Sequence, residues 1–171
     1  NMSEQALTGV RILDFSQVLA GPFATQLMAQ LGAQVIKIEQ PVGGDMTRGL
    51  MSASSDGMAP SFLAANLGKR SLTLDLKNPR AKEIVHKLVA KADVIVENFK
   101  PGTIERLGFG YEAMKAVKPD LVYASISGFG QTGPRASLPA FDGAIQAYSG
   151  MMSISGHAET GPVRSGYFSV D

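Results

Sequence analysis

Val10-Arg11-Ile12-Leu13-Asp14-Phe15-Ser16-Gln17-Val18-Leu19-Ala20-Gly21-Pro22, continued to Val35-Ile36-Lys37-Ile38-Glu39-Gln40-Pro41, reads as strand, tight turn, helix and second strand. Val10, Ile12, Leu13 and Phe15 make an apolar strand, and Gly21-Pro22 breaks it where the fixed φ of proline pre-organises a helix start. Phe23, Leu27 and Leu31 follow at helical spacing. Gly32 sits where a left-handed C-terminal cap belongs, and Val35, Ile36 and Ile38 form a second buried strand. The stretch is one βαβ unit.

A dinucleotide-binding unit places G-x-G-x-x-G at the first turn, so that the backbone approaches a pyrophosphate at the helix N-terminus. Here the turn reads Gln17-Val18-Leu19-Ala20-Gly21-Pro22, with a single glycine and a proline. Such a turn offers few free N–H groups to an anion. Glu39 stands where that fingerprint has its ribose-binding acid, and it reads equally as a solvated strand-end residue.

Strand and helix signals then alternate. Residues 71–76 alternate polar and apolar as a strand does, and Asn78-Pro79 supplies an N-cap and a first helical residue. Ile84, Val85, Leu88 and Val89 form the apolar stripe of the helix that follows. Residues 93–96 make the next strand, 111–117 a short helix, 121–126 another strand and 141–148 a further helix. Residues 43–59 and 127–139 are rich in Gly, Ser, Met or Pro and read as loops. This alternation predicts an α/β fold, a Rossmann-like, mostly parallel sheet with helices on both faces, in which the strands at 10–15 and 35–38 are neighbours.

The 171 residues, 44% hydrophobic and 18% charged, suffice for one α/β domain with a core. A net charge of +1 is not the basic excess of a general nucleic-acid binder. Without cysteine there is no disulfide framework and no thiolate metal site, which fits a cytoplasmic protein. No apolar run approaches the roughly 18 residues needed to span a bilayer, and the polar start is not a signal peptide. Asn1 ahead of Met2 reads as an added residue. The abrupt stop at Val170-Asp171 reads as the N-terminal portion of a longer, two-domain protein.

His86 lies within an amphipathic helix and His157 in a glycine-flanked loop, so neither makes a metal set or a good general base. G-x-S-x-G, P-loop and H-E-x-x-H patterns are absent from the sequence. Lys69 and Arg70 before one strand, Lys77 after it, Lys100 after the next and Arg106 beyond are better placed. Strand ends are where α/β folds bind ligands, and cations converging there suit a polyphosphorylated ligand. Spacing alone leaves an ordinary rim of charge equally open.

The strings Val18-Leu19-Ala20-Gly21-Pro22, Val35-Ile36-Lys37-Ile38-Glu39, Gly44-Asp45-Met46-Thr47-Arg48-Gly49, Gly68-Lys69-Arg70-Ser71-Leu72, Val96-Glu97-Asn98-Phe99-Lys100-Pro101-Gly102 and Ser127-Gly128-Phe129-Gly130 occur in one order. Together they resemble the class III CoA-transferase family, which includes formyl-CoA transferase, the CaiB/BaiF-type enzymes and α-methylacyl-CoA racemase. The resemblance covers the chain from about Leu7 to Asp171. It implies a CoA-binding Rossmann-like large domain, a smaller domain beyond this chain and a homodimer of interlocked subunits. Coenzyme A and acyl-CoA enter as substrates with a small carboxylic acid, and no cofactor is permanently bound.

Position by position, the resemblance puts the family's catalytic aspartate at Asp171. It puts CoA-binding positions at Leu19, Ala20, Leu74, Asp75, Lys77, Asn98, Phe99, Lys100, Arg106, Phe141 and Asp142. Gln40 and Pro139 depart from relatives that carry Arg and Lys there, and Leu19 replaces a polar residue of formyl-CoA transferase. Phe141 stands where racemase-type relatives have a histidine. Phenylalanine moves no proton, which favours transferase over racemase; as a residue it reads as a packing aromatic at a helix start. A nucleotide-binding Rossmann domain and a non-catalytic α/β module are the other two readings.

Overall fold

The computed structural model describes residues 5–50 and 58–171. It divides into two units, one ending at Ile126 and the other running from Ser127 to Asp171.

In the first unit, β1 (Arg11–Asp14), β2 (Gln34–Glu39), β3 (Arg70–Thr73), β4 (Val94–Glu97) and β5 (Val122–Ser125) form one sheet in the order β3-β2-β1-β4-β5. Every pairing in it is parallel, and the 10–15 and 35–38 strands are neighbours, with Ile12 opposite Val35 and Leu13 opposite Ile36. Parallel strands are buried on both faces, hence their Val and Ile content. The strand expected at 71–76 closes at Thr73. Beyond it the Asp75 carboxylate accepts the Lys77 N–H at 3.0 Å, and this local turn replaces ladder bonding.

Helix α1 (Ala20–Gln30) covers one face of the sheet. It ends as the glycine predicts: Gly32 has φ +102°, its N–H donates to Ala29 O, and the Ala33 N–H donates to Met28 O, a Schellman closure. After the 3-10 turn at Met46–Gly49 and the short α2 (Pro60–Leu63), the chain enters β3. Helices α3 (Pro79–Val89), α4 (Thr103–Arg106) and α5 (Tyr111–Val117) lie on the opposite face. Asn78 is the α3 N-cap, accepting the Arg80 N–H at 3.0 Å. Val85, Val89, Ile104 and Met114 pack there on Leu13, Phe15, Ile38 and Ile95, forming the larger core. The loop expected at 43–59 contains the 3-10 turn, and its residues 51–57 lie outside the described residues.

The α1 side departs from the apolar pattern. Phe23, Leu27 and Leu31 are 47%, 44% and 50% exposed, whereas Thr25 and Gln26 are buried. Helical spacing located the helix, but Phe23, Leu27 and Leu31 face away from the sheet; beneath α1, Thr25 meets the buried Asp14 while Met28 and Ala29 pack on Ile12, Val35 and Val96.

The second unit contains α6 (Asp142–Tyr148), a 3-10 turn at Met151–Ile154 and an antiparallel pair, β6 (Gly156–His157) with β7 (Gly161–Pro162). Residues 127–139 form turns, as glycine and proline there require. Among the described residues no helix is long and apolar enough to cross a membrane.

Candidate functional site

Strand order reverses between β1 and β4, and α1 leaves one face while α4 leaves the other. Open α/β sheets bind ligands at the carboxyl ends of the strands beside such a reversal. Asn98, just after β4, reaches across it. Its side-chain oxygen accepts the Gln17 N–H at 2.7 Å and its Nδ2 donates to the Gln17 carbonyl at 2.7 Å. Both polar groups of a turn residue are thereby satisfied, and the Asn98 amide is committed to the backbone of the β1–α1 turn.

Beside this clasp an open cleft of about 550 Å³ runs along the strand ends. Its walls are Gln40 and Pro41 after β2, Leu74, Asp75 and Lys77 after β3, and Phe99, Thr103 and Leu107 after β4. Of the positions singled out in the sequence, Leu74, Asp75, Lys77 and Phe99 line it. Leu19, Ala20, Asn98, Lys100 and Arg106 come from segments following β1 and β4 and do not line it. Lys77, Lys100 and Arg106 are exposed, and the Arg106 guanidinium donates to Thr103 Oγ1 at 3.0 Å. Phe99 donates its N–H to the buried Glu97 carboxylate at 2.9 Å. Burial pushes the Glu97 carboxyl up from its ordinary value, against the lowering effect of hydrogen bonds from Ser125 and the Phe99 N–H.

Glu39 and Lys69 differ from the sequence reading. Glu39 is neither solvated nor free for a ribose. It is buried and forked onto Arg48, with Arg48 Nε and Nη2 each 2.7 Å from a carboxylate oxygen, and it also accepts from Ser71 Oγ and the Asp45 N–H. Burial alone raises its pKa, but the hydrogen bonds from Arg48, Ser71 and Asp45 outweigh that and bring it down to about 2. The Arg48 guanidinium also lies 3.8 Å from the centre of the Phe62 ring. Lys69 is no rim cation. Its ammonium donates to Asp14 Oδ2 at 2.9 Å, Pro22 O at 2.8 Å and Asn66 Oδ1 at 2.9 Å, using all three donors. Burial drives its pKa down to about 8 despite the pull of Asp14.

These groups belong to one buried polar layer under α1. Asp14 also accepts from Thr25 Oγ1 at 2.6 Å and from the N–H and hydroxyl of Ser16. Lys37, opposite Asp14 in register, bridges Asp45 Oδ2 at 2.9 Å and Ser16 O at 2.7 Å. Asp14, Glu39 and Asp45 are thus matched by Lys37, Arg48 and Lys69. Removing one partner of such a pair costs about 3–5 kcal/mol, since the other is left charged and dry. The sequence reading passed over Asp14, Thr25, Lys37, Asp45 and Arg48 as functional-face residues. The signal was there: Asp14 and Lys37 stand among the buried apolar residues Ile12, Leu13, Phe15, Val35 and Ile38, and charges in that setting need partners.

In the second unit, Asp142 begins α6 and its carboxylate is buried. Oδ1 accepts the N–H groups of Ser169 at 2.8 Å and Val170 at 3.0 Å, and Oδ2 accepts Gln146 Nε2 at 2.6 Å. The Gln146 oxygen in turn accepts the Ser165 N–H at 2.8 Å. Asp171, exposed, accepts the Asp142 N–H through Oδ1 at 3.2 Å. Phe141 is 72% exposed and does not pack at the start of the helix as the sequence suggested.

A family model described as CoA-transferase family III matches residues 7–171. The chain therefore belongs to that family. Its relatives include a succinate–glutarate CoA-transferase of Agrobacterium fabrum, 43% identical over 94% of this chain and 42% of that protein. A formyl-CoA:oxalate CoA-transferase of Streptomyces coelicolor is 44% identical over 96% of this chain and 40% of that protein. The crystal structure of a CAIB/BAIF family protein from Brucella suis superposes with a TM-score of 0.91 at 40% identity, covering 96% of this chain and 44% of that one. The chain spans about two fifths of the length of the curated relatives it matches.

Proposed function

We propose that this chain is part of a CoA-transferase that moves CoA from an acyl-CoA thioester to a carboxylic acid, with Asp171 as the covalent nucleophile. The observation that carries the reading is the family match over residues 7–171. An Asp171 oxygen attacks the thioester carbonyl and expels CoA thiolate, giving a mixed anhydride. The thiolate attacks the aspartyl carbon, releases the donor acid and forms an aspartyl-CoA thioester. The acceptor carboxylate attacks that thioester and again expels the thiolate, leaving a second anhydride. Thiolate attack on the acceptor's acyl carbon forms the new acyl-CoA and frees Asp171.

For CoA itself we assign the strand-end cleft, with Lys77 as a phosphate partner at its rim and Arg106 behind Thr103. Leu19, Ala20, Leu74, Asp75, Asn98, Phe99 and Lys100 are the further CoA positions proposed in the first unit, and Phe141 and Asp142 those proposed in the second. The amide of Asn98 and the carboxylate of Asp142, each bonded within its own unit, contribute by shaping the backbone around them. Racemase chemistry is disfavoured because Phe141 holds no proton. We further propose a homodimer, a cytoplasmic location, no permanently bound cofactor, and turnover only in an assembly longer than these 171 residues.

The test uses the full-length protein. Acyl-CoA is offered with a panel of carboxylic acids, and hydroxylamine or borohydride trapping is read by mass spectrometry. An adduct on the peptide containing Asp171 supports the reading; exchange without any adduct there removes it. Titration with NAD in parallel separates the nucleotide-binding alternative.

A further inference from the structure

Val18 has φ +68°, the one positive φ at a non-glycine residue among the described residues. A β-branched side chain resists that region, and such strain persists only where the surroundings over-determine it. Here three elements do so at three consecutive residues. The Lys37 ammonium from β2 holds the Ser16 carbonyl at 2.7 Å. The Asn98 amide after β4 holds both backbone groups of Gln17 at 2.7 Å. The Asp45 carboxylate, itself 1% exposed and ion-paired to Lys37 at 2.9 Å, accepts the Val18 N–H at 3.2 and 3.3 Å. The next residues are Leu19 and Ala20, where the chain turns into α1.

We infer that Asp45, held by Lys37, is a positioning residue: it keeps residues 16–18 in the strained turn that presents Leu19 and Ala20 to the CoA substrate. The inference rests on the CoA-transferase reading. Its physical content is separable, because every group that holds the turn belongs to this chain. Asp45 reaches the 16–18 segment directly through the Val18 amide and indirectly through Lys37 at the Ser16 carbonyl, and the rest of its carboxylate is taken by the N–H and hydroxyl of Thr47. Both contacts serve to hold the positive φ at Val18. Glycine at position 18 tolerates the positive φ without help.

The test is a double-mutant cycle in the full-length protein, with CoA affinity read by titration calorimetry and fold by melting temperature. Asp45→Asn is expected to weaken CoA binding about tenfold or more, as the binding-competent turn loses population. Val18→Gly is expected to keep near-wild-type affinity. In the Val18→Gly background, Asp45→Asn should lose most of its effect on affinity while still lowering the melting temperature. An equal loss of affinity in both backgrounds overturns the inference. Val18→Pro, which leaves the Asp45–Lys37 ion pair in place, forbids the positive φ and removes the N–H that Asp45 accepts; a folded Val18→Pro variant with intact CoA affinity overturns it as well. If the wild-type protein binds no CoA, the functional reading falls. Amide exchange then decides the clamp: protection at Val18 in the wild type and its loss in Asp45→Asn support it, and fast exchange at Val18 in the wild type refutes it.

Discussion

Asp142 and Asp171 hold one another across the start of α6: the Asp142 N–H donates to Asp171 Oδ1 at 3.2 Å, while Asp142 Oδ1 takes the N–H of Val170 at 3.0 Å. The carboxylate of the proposed nucleophile is thus aimed by its own partner's backbone, and the segment carrying it is pinned by that partner's side chain. Replacing Asp142 with Asn in the full-length protein should lower kcat for CoA transfer while leaving acyl-CoA affinity within a few-fold. Steady-state kinetics with a direct binding titration check the split. A variant whose only change is a raised KM would mean that Asp142 acts on CoA alone and does not hold Asp171.

Asp171→Asn should reduce CoA transfer by roughly four orders of magnitude or more, the scale of losing a covalent nucleophile. CoA binding and the melting temperature should hold, because an amide still accepts the Asp142 N–H. Turnover near the wild-type rate would place the nucleophile elsewhere.

Lys77→Ala should weaken CoA binding by about 1–3 kcal/mol, the range for a hydrogen bond to a charged group. Arg106→Ala should cost less, because Lys77 lines the cleft and Arg106 stands behind Thr103. Calorimetric titration at two salt concentrations measures both; unchanged affinity in both variants would make them ordinary surface charge.

Thr25→Val keeps the shape of the buried side chain and deletes the donor to Asp14 at 2.6 Å. A loss of about 1–3 kcal/mol is expected from the unsatisfied carboxylate, measured by urea denaturation. A neutral result would mean that Ser16 and Lys69 suffice for Asp14.

Glu39 carries an acid-stability prediction. Its folded pKa, about 2, lies below its ordinary 4.5. Its contribution is therefore fully present above about pH 5 and is lost as pH falls toward 2, adding to Asp45, which Lys37 and Thr47 hold below its ordinary value against the opposing effect of burial. Glu39→Gln should flatten the fall of denaturation free energy between about pH 5 and 2. An identical pH profile in the variant would show that Glu39 titrates alike folded and unfolded.

The sheet was legible because parallel strands buried on both faces leave uninterrupted runs such as Val35-Ile36 and Val94-Ile95, and because Gly32 and Asn78-Pro79 mark helix ends by local geometry. The proposal of Asp171 rests on family resemblance, since an aspartate after Ser-Val carries no chemical signature of its own; of the cleft residues, Lys77 stood out by its place after a strand, and Leu74, Asp75 and Phe99 only through the resemblance. The fates of Glu39 and Lys69 were not legible, since each depends on groups distant in sequence, Lys69 on Asp14 fifty-five residues away. The exposure of Phe23 and Leu27 was not legible either. Periodicity marks which face of a helix is apolar, but the partners beneath, Asp14 for Thr25 and Ile12, Val35 and Val96 for Met28 and Ala29, decide which face turns inward.

The buried polar layer under α1 divides the protein's tolerance of sequence change. On the α3 and α5 side, Val85, Val89, Ile95 and Met114 meet through shape and volume, so aliphatic exchanges that conserve volume should pass with small losses. On the α1 side, Asp14, Thr25, Lys37 and Lys69 meet through donors and acceptors that accept few substitutes. A saturation library scored for folding should therefore be permissive at the apolar positions, including Ile12, Val35 and Val96 under α1, and nearly closed at the paired charges beside them. Paired changes of a donor with its acceptor should be the main way through the closed positions.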